Sequence, residues 1–142
     1  MRLYLSIVIP TAIYASETWE MSARIIKRIN SFHQSCWRRI MRIHYVYRVT
    51  NEEVLRRRGT TSLHVAIAQS RLRLADHILR MPKHRIPRGA MSWIPAASKR
   101  PRGRLRNTWR RTFANDLKLM DISRKQDEAL AQDRQQWREF VA

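Results

Sequence analysis

Residues 99–111, KRPRGRLRNTWRR, carry seven cations and no acid. Pro101 and Gly103 disfavour a helix at the start of this run, while Asn107 or Thr108 can cap a helix that begins near Trp109. An extended arginine-rich arm that leads into a helix N-terminus suits phosphate groups, and an indole offers a surface on which a base can stack. The run therefore predicts nucleic-acid contacts by Lys99, Arg100, Arg102, Arg104, Arg106, Trp109, Arg110 and Arg111. The alternative interpretation is a solvated run of charge without a ligand.

Positive charge is in excess over most of the chain. The 142 residues include 29 lysines and arginines against 11 aspartates and glutamates, a formal net charge of +18. Residues 1–111 hold 24 of the cations but five of the acids. Such an excess goes beyond what solubility requires and indicates a polyanionic partner. Hydrophobic residues still make up 44% of the chain, so the composition predicts a buried core rather than a disordered basic tail.

Helical spacing of apolar residues recurs along the chain, and no run shows the alternation typical of a strand. The clearest segment begins at Ser22, a candidate N-cap, and Trp37 adjoins its apolar stripe. The stripe recurs every three or four residues, at Ile25, Ile29, Phe32, Cys36, Ile40 and Ile43. The cations of this helix lie largely off the stripe, so we predict a basic surface that contacts nucleic acid through Arg28, Arg38, Arg39 and Arg42.

Two shorter helical segments flank this helix. Residues 3–19 are expected to form a buried or half-buried helix that Pro10 kinks or splits. Thr50 and Glu53 have the spacing of a capping box, and Gly59 supplies the stop signal of the helix that they begin.

A longer helix is predicted over residues 61–81, with Pro82 at its end. Its expected inner face consists of Leu63, Ile67, Leu74, Ile78 and Met81. The arginines of this helix are expected to add positive charge on its flanks, at Arg71, Arg73 and Arg80.

Four of the five prolines and two of the three glycines fall within residues 82–106, which favours a linker there. A small apolar group in this linker is expected to dock on the core; it consists of Ala90, Met91, Trp93 and Ile94. The predicted fold is all-α, a small irregular bundle of about six helices. Its expected parts are a helical subdomain (1–81), a basic linker (82–106) and a C-terminal helical hairpin (107–142).

The hairpin is predicted from two apolar faces joined near Asp121. The first helix is expected to present Trp109, Phe113, Leu117 and Met120. Residues 123–126 form a second capping-box pattern that opens one last helix. That helix is expected to bury Leu130, Trp137, Phe140 and Val141.

No pattern in the chain is typical of a catalytic centre: glycine-rich phosphate loops, nucleophile elbows and paired metal-binding aspartates are all missing from the sequence. His33 and Cys36 are three residues apart, but no second His/Cys pair follows to complete a metal site. We therefore predict a non-enzymatic chain with no metal, no cofactor and no small-molecule substrate.

Cys36 is the single cysteine, so no disulfide framework is expected. The apolar stretch at residues 3–15 has the length of a signal-peptide core, but Pro10 lies near its middle, and it is too short to span a bilayer. These features favour a reducing compartment, nuclear or cytoplasmic, over secretion.

Six strings, in order, resemble the carboxyl-terminal region of the endonuclease-reverse transcriptase of non-LTR (LINE-type) retrotransposons, in particular the RTE-like group. The similarity extends over nearly the whole chain, and no single string is very specific. The strings are SIVIPTAIYASETW, RVTNEEVLRR, RLRLADHILRMP, RIPRGAMSW, RGRLRNTW and LAQDRQQWREFV.

The resemblance implies a helical thumb, in residues 1–81, that follows a polymerase palm, and then a basic tail that holds template RNA and target DNA. The chain departs from the usual pattern at Leu74 and Asp76, where an aromatic residue and a glycine are common. The paired polymerase aspartates and the endonuclease domain have no counterpart in this sequence. The expected partners are the RNA or DNA backbone and a palm domain outside this chain, and the expected origin is a fragment or relic of the longer enzyme.

Two other classes of protein fit parts of the sequence. A helical interaction scaffold would pair the stripe from Ile25 to Ile43 with another helix and use the cations for solubility. A membrane-surface protein would place the apolar N-terminal segment and the basic helices on anionic lipid.

Overall fold

A computed structural model describes residues 2–92, 108–119 and 127–141 of the chain. These residues form helices and turns and contain no strand, so the all-α prediction is confirmed. The described part holds eight α-helices rather than about six: α1 (Ile9–Ala12), α2 (Ala23–Ile40), α3 (Asn51–Arg58), α4 (Leu63–Leu79), α5 (Ile86–Ser92), α6 (Trp109–Leu119), α7 (Asp127–Gln132) and α8 (Arg134–Val141).

The chain divides into two compact units, residues 1–68 and residues 69–142. The division falls within α4, whereas the proline and glycine content predicts a boundary after residue 81. The reason for the difference is that the two ends of α4 contribute to different units: its first residues belong to unit one, and Leu72, Ala75 and Leu79 belong to the core of unit two.

Unit one begins with a helical segment whose geometry changes at Pro10. A π-helical stretch, Tyr4–Val8, runs directly into α1, and the Ile9 N–H donates to the Tyr4 carbonyl. Pro10 has no N–H and its ring crowds the carbonyl four residues earlier, so the widened π-helical turn before it accommodates the proline. The helix ends at Ala12, short of the predicted residue 19.

Helix α2 starts as predicted, because the Ser22 hydroxyl accepts a hydrogen bond from the Ile25 N–H at 3.4 Å. Its buried face, however, is centred on Trp37, which is fully buried, together with His33 and Gln34. Phe32, a predicted member of the apolar stripe, is 42% exposed. Cys36, Ile40 and Ile43 of the stripe pack against the core of unit one, so the predicted inner face of α2 is confirmed in its second half and wrong at Phe32.

The core of unit one consists of Tyr4, Trp37 and Val54. The rings of Tyr4 and Trp37 meet edge to face with their centroids 4.9 Å apart. Val54 comes from α3, which begins and ends at the predicted caps. Thr50 Oγ1 accepts from the Glu53 N–H at 3.2 Å, and Gly59 ends the helix in the left-handed conformation, φ +58°. Both capping predictions are confirmed.

The core of unit two combines residues of α4, α6, α7 and α8, namely Leu72, Ala75, Leu79, Phe113, Leu117, Ala131, Trp137 and Val141. Leu74, Ile78 and Met81 are half-buried rather than central, so the predicted inner face of α4 is wrong in this half. Arg71, expected on a flank, is 1% exposed and forms an ion pair with Asp116. The buried carboxylate on α6 compensates the positive charge, so a guanidinium group can be buried at this position.

Helix α5 lies within residues that the proline and glycine content assigned to a linker. Pro87 occupies the second position of α5, where the missing N–H costs no helical hydrogen bond. Met91 packs against the core of unit two, as expected of the apolar group in this segment. Trp93 and Ile94, the other large members of that group, lie outside the described residues.

Helix α6 begins at Trp109 behind the predicted cap, since Thr108 Oγ1 accepts from the Arg111 N–H at 3.3 Å. The single last helix of the prediction is two helices, because Asp133 Oδ1 accepts from the Gln135 and Gln136 N–H groups and starts α8. Phe140, expected to be buried, is exposed. The capping box at residues 123–126 and the junction near Asp121 lie outside the described residues.

Candidate nucleic-acid interface

Three of the predicted contact residues meet at the carboxyl end of α2. Arg38, Arg39 and Arg42 line a shallow cleft of about 400 Å³ together with Ile43 and His44. The positive side chains of the last helical turn also face the negative end of the helix dipole, which favours cations there. The end of α2 thus gathers cations into one concave surface.

The three arginines of this cleft have different roles. Arg38 Nη2 donates to the Val49 carbonyl at 2.7 Å and to Asn51 Oδ1 at 2.9 Å, so its guanidinium holds the loop that leads into α3. Arg39 and Arg42 are exposed, and neither forms an ion pair with a carboxylate in the described parts of the chain. Arg39 and Arg42 are therefore the residues of this cleft that can bind an external anion.

The backbone of Arg42 adopts an uncommon conformation, φ +54°. The Ile43 N–H donates to the Arg38 carbonyl at 2.9 Å, and the Arg42 N–H donates to the Arg39 carbonyl at 3.2 Å. This is the left-handed stop of a helix, and the position that glycine usually occupies is filled by arginine. This conformation costs an L-residue about 1–2 kcal/mol. Arginine at position 42 therefore lowers the free energy of unfolding relative to glycine.

Arg28 is exposed on the same helix but does not line the cleft. It lies 11 residues before Arg39, about 16 Å along the axis and on nearly the same helical face. That spacing matches separate phosphate contacts along one helix face rather than a shared site.

Of the arginine-rich arm, residues 99–111, the structure describes residues 108–111. Lys99, Arg100, Arg102, Arg104 and Arg106 lie outside the described residues. Arg110 and Arg111 follow Trp109 in the first turn of α6, where no acidic residue balances the positive end of the helix dipole. An anion near this turn would be stabilised by both arginines.

Trp109 is half-buried, and its ring stacks on Phe113 with centroids 5.4 Å apart and planes 14° apart. It also packs against the core of unit two. The indole is thus in part a core side chain, and the stacking role predicted for it would have to use its exposed edge or remaining face.

A second cationic cleft was not predicted from the sequence. It measures about 500 Å³ and lies between α4 and α8, within unit two. Its basic lining residues are Arg73, His77, Arg80, Arg134 and Arg138. The signal in the sequence was the spacing of four between Arg73 and His77 and between Arg134 and Arg138, which puts each pair on one helix face.

Three carboxylates of the described residues, those of Glu53, Asp76 and Asp116, form ion pairs with arginines. Glu53 accepts from Arg56 Nε at 2.7 Å and from Arg57 Nε at 2.7 Å. These hydrogen bonds, that of Arg56 first, hold the pKa of the Glu53 carboxyl at about 2. No group of three or more metal-ligating side chains occurs among the residues that the structure describes.

Compared with protein families, with curated proteins and with solved structures, the chain matches none of them. Within residues 2–92, 108–119 and 127–141, no helix has both the length and the apolar character that crossing a bilayer requires.

Proposed function

We propose that this chain is a nucleic-acid-binding module, the thumb and basic tail of a LINE-type reverse transcriptase. It binds the RNA or DNA backbone by charge and shape and performs no catalysis of its own. Its place of action is nuclear or cytoplasmic. The observation that carries the proposal is the pair of exposed arginines, Arg39 and Arg42, in the cleft at the end of α2.

The charge balance supports this proposal. The net charge is +18, and Glu53, Asp76 and Asp116 already pair with arginines inside the fold. The remaining surface cations therefore repel one another until an external anion reduces the repulsion. A sugar-phosphate backbone supplies regularly spaced anions that can meet cations on several helices at once.

The N-terminal segment supports the palm domain of the parent polymerase as a second partner. Leu3, Leu5, Ile7 and Val8 are exposed apolar side chains on one short helical segment. Several exposed apolar side chains on one short segment, which the sequence predicted to be a buried or half-buried helix, favour an interaction site. In this proposal the segment packs on the palm, while the cationic cleft of α2 faces the template and primer.

The scaffold alternative depends on a free apolar stripe from Ile25 to Ile43. Cys36, Ile40 and Ile43, which form the second half of this stripe, pack against the core of unit one. A partner helix would have to compete with those contacts, so this geometry favours nucleic-acid binding over helix pairing.

The salt dependence of RNA binding tests the proposed function. The affinity of the full chain for a structured RNA is measured from about 50 to 200 mM salt, where each neutralised phosphate contributes about −0.7 to −0.9 to the log–log slope. A steep slope is expected, and replacing Arg102, Arg104 and Arg106 with alanine should reduce its magnitude by about two to three units. A nearly flat slope with the unaltered chain contradicts the proposal.

Sedimentation and vesicle binding separate the two alternatives. A dimer that ignores RNA would favour the interaction scaffold. Binding to anionic vesicles without competition by RNA would favour the membrane-surface protein.

A further inference from the structure

The cleft between α4 and α8 brings basic side chains from two helices to one place. Arg73 lies in α4 and Arg80 directly follows its last residue, whereas Arg134 and Arg138 come from α8. His77 adds a fifth nitrogen-bearing side chain to the lining. The volume of about 500 Å³ falls within the range of about 300–1,000 Å³ that is typical of ligand clefts.

The floor of this cleft is part of the packed core of unit two. Trp137 is buried, and its Nε1–H donates to the Leu72 carbonyl at 3.2 Å, which fixes the start of α8 on α4. Val141, one turn further along α8, is buried beside it in the same core. The two helices therefore hold their cations at a fixed separation, so a bound anion would not have to order the helices first.

One of the four arginines is anchored to the protein. Arg80 forms an ion pair with Asp76, and its Nη1 also donates to the Ala131 carbonyl at 3.4 Å. Asp76 is the single acid of the lining, and this ion pair occupies it. The glycine expected at position 76 from the resemblance would leave Arg80 without this anchor.

The side chains of the other three arginines are exposed and form no ion pair or hydrogen bond with any side chain that the structure describes. The nearest acids along α8 are engaged elsewhere: Asp133 caps the helix through the Gln135 and Gln136 N–H groups, and Glu139 accepts from Gln135 Nε2 at 3.5 Å. These three arginines are Arg73, Arg134 and Arg138.

We propose that the cleft between α4 and α8 binds consecutive phosphate groups of a nucleic-acid backbone, through Arg73, Arg134 and Arg138. The inference rests on the proposed function and adds to it a second contact surface, in unit two, that uses none of the residues predicted from the sequence. Guanidinium groups on two helices bind phosphates on either side of the cleft, while Arg80 stays with Asp76. A backbone fits this arrangement better than a single small anion, because a chain of phosphates can engage all three groups together.

A triple variant tests this cleft directly: Arg73→Gln, Arg134→Gln and Arg138→Gln in the full chain. Glutamine has nearly the helix propensity of arginine, and the three side chains are exposed, so the helicity and the unfolding midpoint should stay unchanged. Binding of a labelled 12-nucleotide RNA is measured across a salt series. The expected result is a log–log slope smaller in magnitude by about two to three units.

A matched control removes three charges from unit two outside the cleft. Lys83, Arg85 and Lys118 are exposed and have no side-chain partner in the described part of the chain. Replacing all three with glutamine should change the slope by less than about one unit. Equal slopes for the two triple variants would contradict phosphate binding in the cleft but not the proposed function. An unaltered chain that does not bind RNA would contradict both.

The indole N–H signal of Trp137 gives a second readout, because this ring lines the cleft. Adding the 12-nucleotide RNA should shift its ¹H–¹⁵N cross-peak in the unaltered chain and leave it in place in the cleft variant. The same shift produced by inorganic phosphate alone at equal phosphate concentration would identify a small-anion site and overturn the proposal of a backbone.

Discussion

The Arg71 guanidinium is buried and pairs with Asp116, which joins α4 to α6 across 45 positions of sequence. Two further nitrogens of this guanidinium, Nε and Nη2, have no hydrogen-bond partner in the described residues. The pair therefore bears a desolvation penalty that its mutual attraction offsets only in part. Removing one partner should lower the free energy of unfolding, whereas removing both should leave it unchanged or raise it.

Arg71→Leu should destabilise the chain by about 3–5 kcal/mol, because it breaks a buried ion pair by removing one of its two charges. Replacing both residues with leucine should return the free energy of unfolding to within about 1 kcal/mol of the unaltered chain, or above it. Urea unfolding measures both. A loss below about 1 kcal/mol in the single variant would show that the pair is not buried in solution.

Trp37 and Phe32 lie on the buried and the exposed side of α2, respectively, although both were assigned to its apolar side from the sequence. Trp37→Ala should cost about 3–5 kcal/mol, since the indole fills the core of unit one, whereas Phe32→Ala should change stability by less than about 0.5 kcal/mol. Thermal unfolding of the two variants checks the order. The reverse order would favour the apolar stripe read from the sequence.

Trp37 and Phe32 show which features of a helix can be predicted from the sequence. Helix ends were predictable, because caps act within three or four residues: Ser22, Thr50, Gly59 and Thr108 were all found from local chemistry. The buried face of a helix was less predictable than its ends, because the stripe of α2 was identified from apolar residues alone. His33 and Gln34 are buried, and the largest side chain, Trp37, sets the centre of the face.

Long-range pairing accounts for the remaining differences. Arg71 was assigned to the surface because its partner on α6 cannot be identified from spacing. The cleft between α4 and α8 was missed for a similar reason: residues 112–142 are nearly neutral as a segment, yet α8 places Arg134 and Arg138 beside the arginines of α4. The contact surface at the end of α2 was predictable because its cations are close in sequence.

His33 should make the stability of unit one depend on pH. Its Nε2 accepts from the Trp37 indole N–H at 3.1 Å, and its Nδ1 lies 2.9 Å from the Tyr4 hydroxyl oxygen. Burial lowers the pKa of His33 below its ordinary value of 6.5. The unfolded chain therefore takes up a proton at a pH where the folded chain resists it, and the free energy of unfolding should fall as the pH drops through about 6.5.

Urea unfolding at pH 7.5, 6.5 and 5.5 measures this effect. His33→Gln keeps a hydrogen-bond acceptor for the Trp37 indole but cannot titrate, so its stability should vary less across this range. An identical pH dependence in the variant and the unaltered chain would contradict the assignment.

Arg42→Gly should separate stability from binding. Glycine adopts the left-handed conformation without strain, so the variant should be more stable by about 1 kcal/mol. The same change removes an exposed guanidinium from the cleft of α2 and should reduce the magnitude of the RNA salt slope by about 0.7 to 0.9.

Arg42→Gln is the matched control, because it removes the charge and keeps the backbone strain. It should weaken RNA binding as much as Arg42→Gly without the gain in thermal stability. An unchanged slope in both variants would exclude Arg42 from the contact surface.

We propose above that the surplus cations of this chain bind a sugar-phosphate strand. Binding of the purified full chain to a labelled structured RNA at about 50 mM salt, followed by competition with heparin, measures this. The expected dissociation constant is at or below the micromolar range at this ionic strength, with heparin displacing the RNA. A chain that binds neither RNA nor heparin at low ionic strength would contradict it.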